Sequence, residues 1–247
     1  MKNYWQLGGT LDLGTYPKNE SMQFSLSDLD SKENWKKVKD SDFPGKGNWS
    51  PESFDYQYNS QGFRSNWDFD PTVDKPILLG LGCSHTVGVG LPWHDAWIQQ
   101  LGAQHYQDHV VWNCGLGGGG ADTVARLAVN IIPVARPKTV AILWPSLYRF
   151  ETYEGDEPTM NGAWTFEQDN LQYEDKTIYN NQCKNKTIIK LLQQQYEFDL
   201  LELDVDDIFE KYSNANLPEP WEKARDGSHM GTAWHWQLQE DMWSKYQ

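Results

Sequence analysis

The chain has 247 residues, long enough to bury a substantial core as one large domain or as one domain with extensions. Asp and Glu number 35 against 21 Lys and Arg, a formal net charge of −14 that disfavours nucleic acid and anionic membrane surfaces as partners. No apolar stretch reaches the roughly 18 residues a spanning helix needs, and Met1-Lys2-Asn3-Tyr4-Trp5 has no signal-peptide core, so a cytoplasmic protein without a membrane partner is expected.

Residues 1–75 are rich in Ser, Asp, Asn and Lys and show little periodicity, yet they carry Trp5, Trp35, Trp49 and Trp67. Such a segment holds too many aromatic side chains for a free tail, and it reads as an irregular extension wrapped on the domain. The thirteen tryptophans, among them Trp164 and Trp221 in polar surroundings, have two readings: they pin long loops, or some line a carbohydrate or partner surface.

The pattern changes from residue 76, where a domain spanning 76–247 is expected. Short apolar runs at 77–81, 110–112, 140–144 and 198–203 alternate with helix-like segments at 96–101, 121–132 and 187–196. Strand alternating with helix implies an α/β domain with a parallel sheet covered on both faces. An acidic insert at 151–175, punctuated by Gly155, Pro158 and Gly162, reads as a lid or a poorly ordered connection. Trp234, Leu238, Met242 and Tyr246 recur every four residues, the stripe of a helix packed on the sheet. Cys83, Cys114 and Cys183 are odd in number and widely spaced, which fits a reducing compartment better than a disulfide framework.

Ser84 follows the first apolar run directly, at the carboxyl end of a buried parallel strand, where open α/β sheets put their chemistry. Asp226-Gly227-Ser228-His229 supplies an acid and a base near the other end of the chain. A serine hydroxyl needs a neutral imidazole to take its proton, and an acid to orient that imidazole, so Ser84, His229 and Asp226 form the parts of a nucleophilic hydrolase. Gly82-Cys83-Ser84-His85-Thr86 is not the Gly-x-Ser-x-Gly elbow of α/β-hydrolases, and an acid three residues before the histidine also departs from that fold.

Four blocks in order resemble the SGNH (GDSL-like) hydrolase superfamily: Gly82-Cys83-Ser84-His85-Thr86, Asn113-Cys114-Gly115-Leu116-Gly117-Gly118, Ile142-Leu143-Trp144-Pro145-Ser146 and Asp226-Gly227-Ser228-His229-Met230-Gly231. Tyr58-Asn59-Ser60-Gln61-Gly62-Phe63-Arg64 resembles a lead-in strand segment of such proteins. The resemblance covers about residues 56–245. It implies a flavodoxin-like three-layer α/β/α fold, a Ser84–His229–Asp226 triad, an oxyanion hole built from the backbone N–H groups of Ser84 and Gly118, and neither cofactor nor metal. Two positions depart from the family pattern. Cys83 stands where an aspartate is usual, and the third block lacks the asparagine that completes the oxyanion hole. Ser146 is the preferred substitute donor. Arg149 is the other, unless Glu151 or Asp226 holds it as an ion pair. Arg149, Arg64, His85 and Cys83 are the candidates for substrate contact or site support, with His85 read as a loop residue hydrogen-bonded locally.

Other chemistries fit less well. Gly115, Gly117 and Gly120 match a dinucleotide fingerprint, but the acid expected about 20 residues on is missing. His105 and His109, four apart, with Cys83 and His85, could be metal ligands, yet no second spaced cluster completes a site. The leading function is a serine esterase or deacetylase acting on a short-chain acyl ester, with an O-acetylated carbohydrate or another small molecule as substrate. The alternative is a catalytically weak or inactive protein of the same fold with a binding or structural role. The blocks also resemble SGNH-like proteins of tailed phages, which would place the chain in a virion or an infected host cell.

Overall fold

The computed structural model describes residues 10–25, 29–39, 50–154, 157–162, 175–214 and 223–247. Its N-terminal part contributes β1 (Ser21–Met22), α1 (Lys32–Lys39) and β2 (Tyr56–Gln57), with β1 and β2 paired antiparallel. The apolar runs then become β3 (Ile77–Gly82), followed at once by the short helix α2 (Ser84–Val87), and β4 (Val110–Asn113), β5 (Thr139–Trp144) and β8 (Asp199–Asp204). These four strands form one parallel sheet in the order β4-β3-β5-β8. Parallel neighbours need long crossovers, and helices fill them: α3 (Trp97–His105) before β4, α4 (Ala121–Ala135) before β5 and α5 (Asp175–Tyr196) before β8. β6 (Phe150–Glu154) and β7 (Glu157–Asn161) form an antiparallel hairpin in the acidic insert, and α6 (Val205–Asn214) and α7 (Thr232–Ser244) close the chain. No helix among the described residues is long and apolar enough to cross a membrane.

The two-residue period of a strand sends alternate side chains to opposite faces, and the core divides accordingly. Leu79 and Leu81 of β3, Val140 and Ile142 of β5 and Trp112 of β4 pack against Leu127 and Ile131 of α4 and Ile189 of α5. Leu78, Ala141, Leu143 and Val111 face the other way, against Trp97, Ile98 and Leu101 of α3, Ile208 of α6, and Trp234, Leu238 and Met242 of α7. The result is three layers, helix, sheet and helix, with strands buried on both faces.

Several elements differ from their sequence patterns. α5 begins twelve residues before the apolar spacing starts, because its first turns are polar and exposed. Tyr246 lies beyond α7, half exposed, and its hydroxyl accepts the Glu202 N–H at 3.0 Å. The segment 58–64 is a tight turn outside the main sheet: Tyr58 bridges Arg64, and the Asn59 side-chain oxygen accepts the N–H groups of Gln61 and Phe63. Leu13, Phe63 and Phe69 enter the first core cluster, Phe69 stacking on Trp112 with centroids 4.8 Å apart. Trp5, Trp49, Trp164 and Trp221, and residues 163–174 of the insert, lie outside the described residues.

Close packing of α3 on the sheet requires a residue without a side chain in mid-strand. A Cβ at Gly80 would come within 2.4 Å of Ile98 Cγ1. Gly80→Ala is therefore expected to cost about 1–3 kcal/mol by forcing helix and sheet apart. Urea denaturation measures it, and an unchanged midpoint would show that α3 yields freely.

Candidate active site

Ser84 is the first residue of α2, whose extended N-cap is Cys83. The chain turns sharply where β3 ends, and the hydroxyl is carried to the carboxyl edge of the sheet. The Cys83 side chain makes no cap hydrogen bond. The other end of α2 is held by Arg64, which donates to the carbonyls of Val87 (3.2 Å), Gly88 (2.5 Å) and Leu91 (2.6 Å) while its guanidinium lies 4.2 Å from the Tyr56 ring centroid. Arg64 is almost fully buried, and burial lowers its pKa. It supports the site from behind and is not a wall of the cleft. Asn113, at the end of β4, adds a second tie by donating to the Thr86 carbonyl at 2.7 Å and accepting the Gly115 N–H at 3.1 Å.

The acid and base sit in one turn before α7. Asp226 Oδ1 accepts the backbone N–H groups of Ser228 (3.0 Å) and His229 (2.9 Å), which aims Oδ2 at His229 Nδ1, 2.5 Å away. Burial of Asp226 raises its pKa, but the hydrogen bonds from the His229 ring and the two backbone N–H groups outweigh it, and the carboxyl is held below its usual range. An ionised Asp226 accepts a hydrogen bond from Nδ1–H, which keeps the proton on Nδ1 and leaves Nε2 as the acceptor nitrogen.

A cleft of about 550 Å³ gathers Ser84, His229, Gly117, Gly118 and Arg149 with the apolar walls Val89, Met160 and Leu29. Among the described hydrogen bonds none joins Ser84 to the His229 ring; in hydrolases such contacts are often long before substrate binds. Thr15 and Tyr16, which no sequence motif singled out, complete the wall. The Tyr16 oxygen accepts the Gly117 N–H at 3.0 Å, its ring stacks on Tyr58, and burial pushes its pKa up to about 12, so it is a neutral phenol.

The structure distributes the other candidate residues as follows. Arg149 lines the cleft and Ser146 does not; the Ser146 carbonyl instead accepts the Arg149 N–H, turning the chain there. Glu151 is taken by Arg126, through bonds of 2.8 to 3.2 Å with both side chains buried, and Asp226 by His229 and its own turn. His85 is not bonded locally: its Nδ1 has no partner, and the ring is buried within about 5.5 Å of the His229, Trp234 and Phe209 rings. Burial, followed by the cationic groups around it, holds its pKa well down. As for metal, His105 stacks on Trp243 beside Glu240, His109 bonds Asp108, and no group of three or more such ligands occurs among the described residues.

No family model matches the chain, and no curated protein matches it. Solved structures similar to it include an acetyl xylan esterase, 12% identical over 69% of this chain and 100% of that one, with a TM-score of 0.37. A catalytic mutant of an acetylxylan esterase from Geobacillus stearothermophilus is 13% identical over 69% of this chain and 93% of its own, TM-score 0.37. A member of the lipolytic G-D-S-L family from Veillonella parvula is 10% identical over 69% and 97%, TM-score 0.39.

The neighbouring His235 yields a pH signature. Its Nδ1 accepts the Trp97 N–H at 3.0 Å, joining α7 to the start of α3, and burial pushes its pKa down to about 3. Protonation would set an N–H against an N–H. A folded pKa below the unfolded value of about 6.5 means full stability above pH 6.5, lost as the pH falls toward 3. Urea unfolding at pH 7, 6 and 5 is expected to show stability falling with acid, by up to about 1.4 kcal/mol per pH unit for each such histidine. His235→Asn, which keeps an acceptor for Trp97, should reduce the slope by about one proton. An unchanged slope would show that His235 is not the group titrating.

Proposed function

We propose that this protein is a serine esterase of the SGNH type that removes a short acyl group, acetyl in the first instance, from a neutral polyhydroxylated alcohol such as a carbohydrate. The observation that carries the reading is the 2.5 Å contact between Asp226 Oδ2 and His229 Nδ1 beside a cleft that also holds Ser84 and Gly118. Ser84 Oγ attacks the ester carbonyl carbon as its proton passes to His229 Nε2, and the carbonyl electron pair moves onto oxygen. Backbone N–H groups of Ser84 and Gly118 receive that oxyanion. Collapse of the intermediate expels the alcohol, which takes the proton from His229, and leaves an acyl ester on Ser84. Water then repeats the same steps and releases the acid. Asp226 stabilises the imidazolium throughout and stays ionised.

Arg149 takes the place of the missing asparagine in this reading. A guanidinium on the cleft wall stabilises charge that develops only in the transition state, so its effect belongs to kcat. Leu29, Val89 and Met160 offer the acyl methyl an apolar patch, and the net charge of −14 disfavours an anionic alcohol.

p-Nitrophenyl acetate is expected to be hydrolysed faster than the octanoate. Ser84→Ala and His229→Ala should each abolish turnover, and Asp226→Asn should leave a small residual rate. Arg149→Met should lower kcat about 10²–10³-fold with little change in KM, whereas Ser146→Ala should change neither. Wild-type turnover in Ser84→Ala refutes the assignment. An inert wild-type protein would favour the binding or structural role instead.

A further inference from the structure

A second cavity, of about 450 Å³, shares no wall residue with the cleft. It runs along α3 to the edge strand β4, and its size is that of a small-molecule site. Two tryptophans line it, Trp67 and Trp93, with ring centroids 4.9 Å apart and planes at 81°. Trp67 is 40% exposed, yet it is not loose: its carbonyl accepts the Ser65 hydroxyl at 2.7 Å and the Asn59 amide at 3.3 Å, and its N–H donates to Ser65 Oγ at 3.2 Å. An aromatic face fixed in solvent by its own loop is preorganised to stack on something. A Cβ at Gly102 would come within 2.3 Å of Val111 Cγ2, so the glycine lets α3 lie close on β4 along this wall.

Two polar atoms at this cavity lack partners. Trp93 Nε1 and His109 Nε2 are both buried from solvent and make no hydrogen bond. His109 Nδ1 lies 2.7 Å from Asp108 Oδ1, which fixes the proton on Nδ1 and makes Nε2 an acceptor. The indole N–H is a donor only. Orphaned buried polar atoms are uncommon and costly, about 1–3 kcal/mol each. A donor and an acceptor on the walls of one cavity suit hydroxyl groups, which are both. The walls carry amides, Gln99 and Gln107, with the imidazoles of His94 and His109 and no Lys, Arg, Asp or Glu, a lining that favours a neutral ligand.

We infer that this cavity is a second, non-catalytic binding site for a neutral pyranoside, which stacks its apolar face on Trp67 and exchanges hydroxyl hydrogen bonds with Trp93 Nε1 and His109 Nε2. A purely apolar ligand would leave both atoms orphaned, and a charged one would be desolvated without compensation. The site needs no catalysis and stands whether or not Ser84 is a nucleophile.

The test uses the full chain as Ser84→Ala, labelled with nitrogen-15, titrated with xylotetraose, cellotetraose and maltotetraose up to about 20 mM while the tryptophan indole N–H resonances are followed. At least one sugar is expected to shift the Trp93 indole resonance saturably. Trp67→Ala should weaken that binding about tenfold and Trp67→Phe less. His109→Phe, which keeps the ring but removes the acceptor, should weaken it as well. Three outcomes overturn the inference: no saturable shift with any of the three sugars, a titration that survives Trp67→Ala unchanged, or an equal saturable response to hexanol. Binding equal in wild-type and Ser84→Ala protein, with or without esterase activity, keeps this result separate from the fate of the proposed reaction.

Discussion

The arginine that precedes Asp226 in the chain is the charge on which the geometry of the candidate site depends. Arg225 is buried and bound by Asp30 through bonds of 3.0 and 2.8 Å, with further bonds to the carbonyls of Gln23 and Phe54 and the Phe54 ring centroid 3.9 Å from its guanidinium carbon. Asp30 also accepts the Tyr56 hydroxyl at 2.5 Å, and the same Tyr56 oxygen accepts the Gly90 N–H at 2.7 Å. The Arg225 backbone N–H returns to the Gly90 carbonyl at 2.9 Å, closing the circuit. A buried pair adds little over an apolar core, but breaking one leaves a stranded charge at a cost of about 3–5 kcal/mol. The pair therefore acts as a lock, fixing the segment that carries Asp226 against the segment that follows Ser84. Gly90 makes the contact possible: its φ is +79°, in the region that favours glycine, and a Cβ there would lie 2.7 Å from Ala224 Cβ.

The sheet and this lock divide the work. The parallel sheet carries Ser84 and the Gly117–Gly118 loop to one edge, as its topology dictates. The alignment of acid and base comes instead from the N-terminal segment, through Asp30, Tyr56 and the Asn34 amide, which donates to the Asp226 carbonyl at 2.7 Å. The same segment supplies Arg64 behind α2 and Tyr16 and Leu29 on the cleft wall. A residue range that reads as irregular wrapping thus sets the shape of the cleft and the orientation of its charged groups.

The strands of the sheet, and the strand end that carries Ser84, were legible because burial on both faces leaves short apolar runs bounded by glycine and proline. α6 was not, since its ten residues follow β8 without a break and contain only a few apolar positions. Arg64 and His85 resisted interpretation for a different reason. Their chemistry as read from sequence is that of exposed groups, whereas each is buried by neighbours distant along the chain, Arg64 under α2 and His85 among Phe209, His229 and Trp234. Arg126 did leave a signal, a lone cation in the apolar stretch of α4, which called for a buried acid and met Glu151. Tyr16 and Asp30 left none, because a single tyrosine or aspartate in a polar segment does not announce its partner.

The central claim is that His229, oriented by Asp226, activates the hydroxyl of Ser84. A fluorophosphonate probe tests it most directly, since it forms a stable bond only with an activated nucleophile. Incubated with the protein and followed by peptide mapping in a mass spectrometer, it should add one equivalent at Ser84, and His229→Ala should suppress the labelling. Absence of label on Ser84, or labelling undiminished by His229→Ala, would contradict the account.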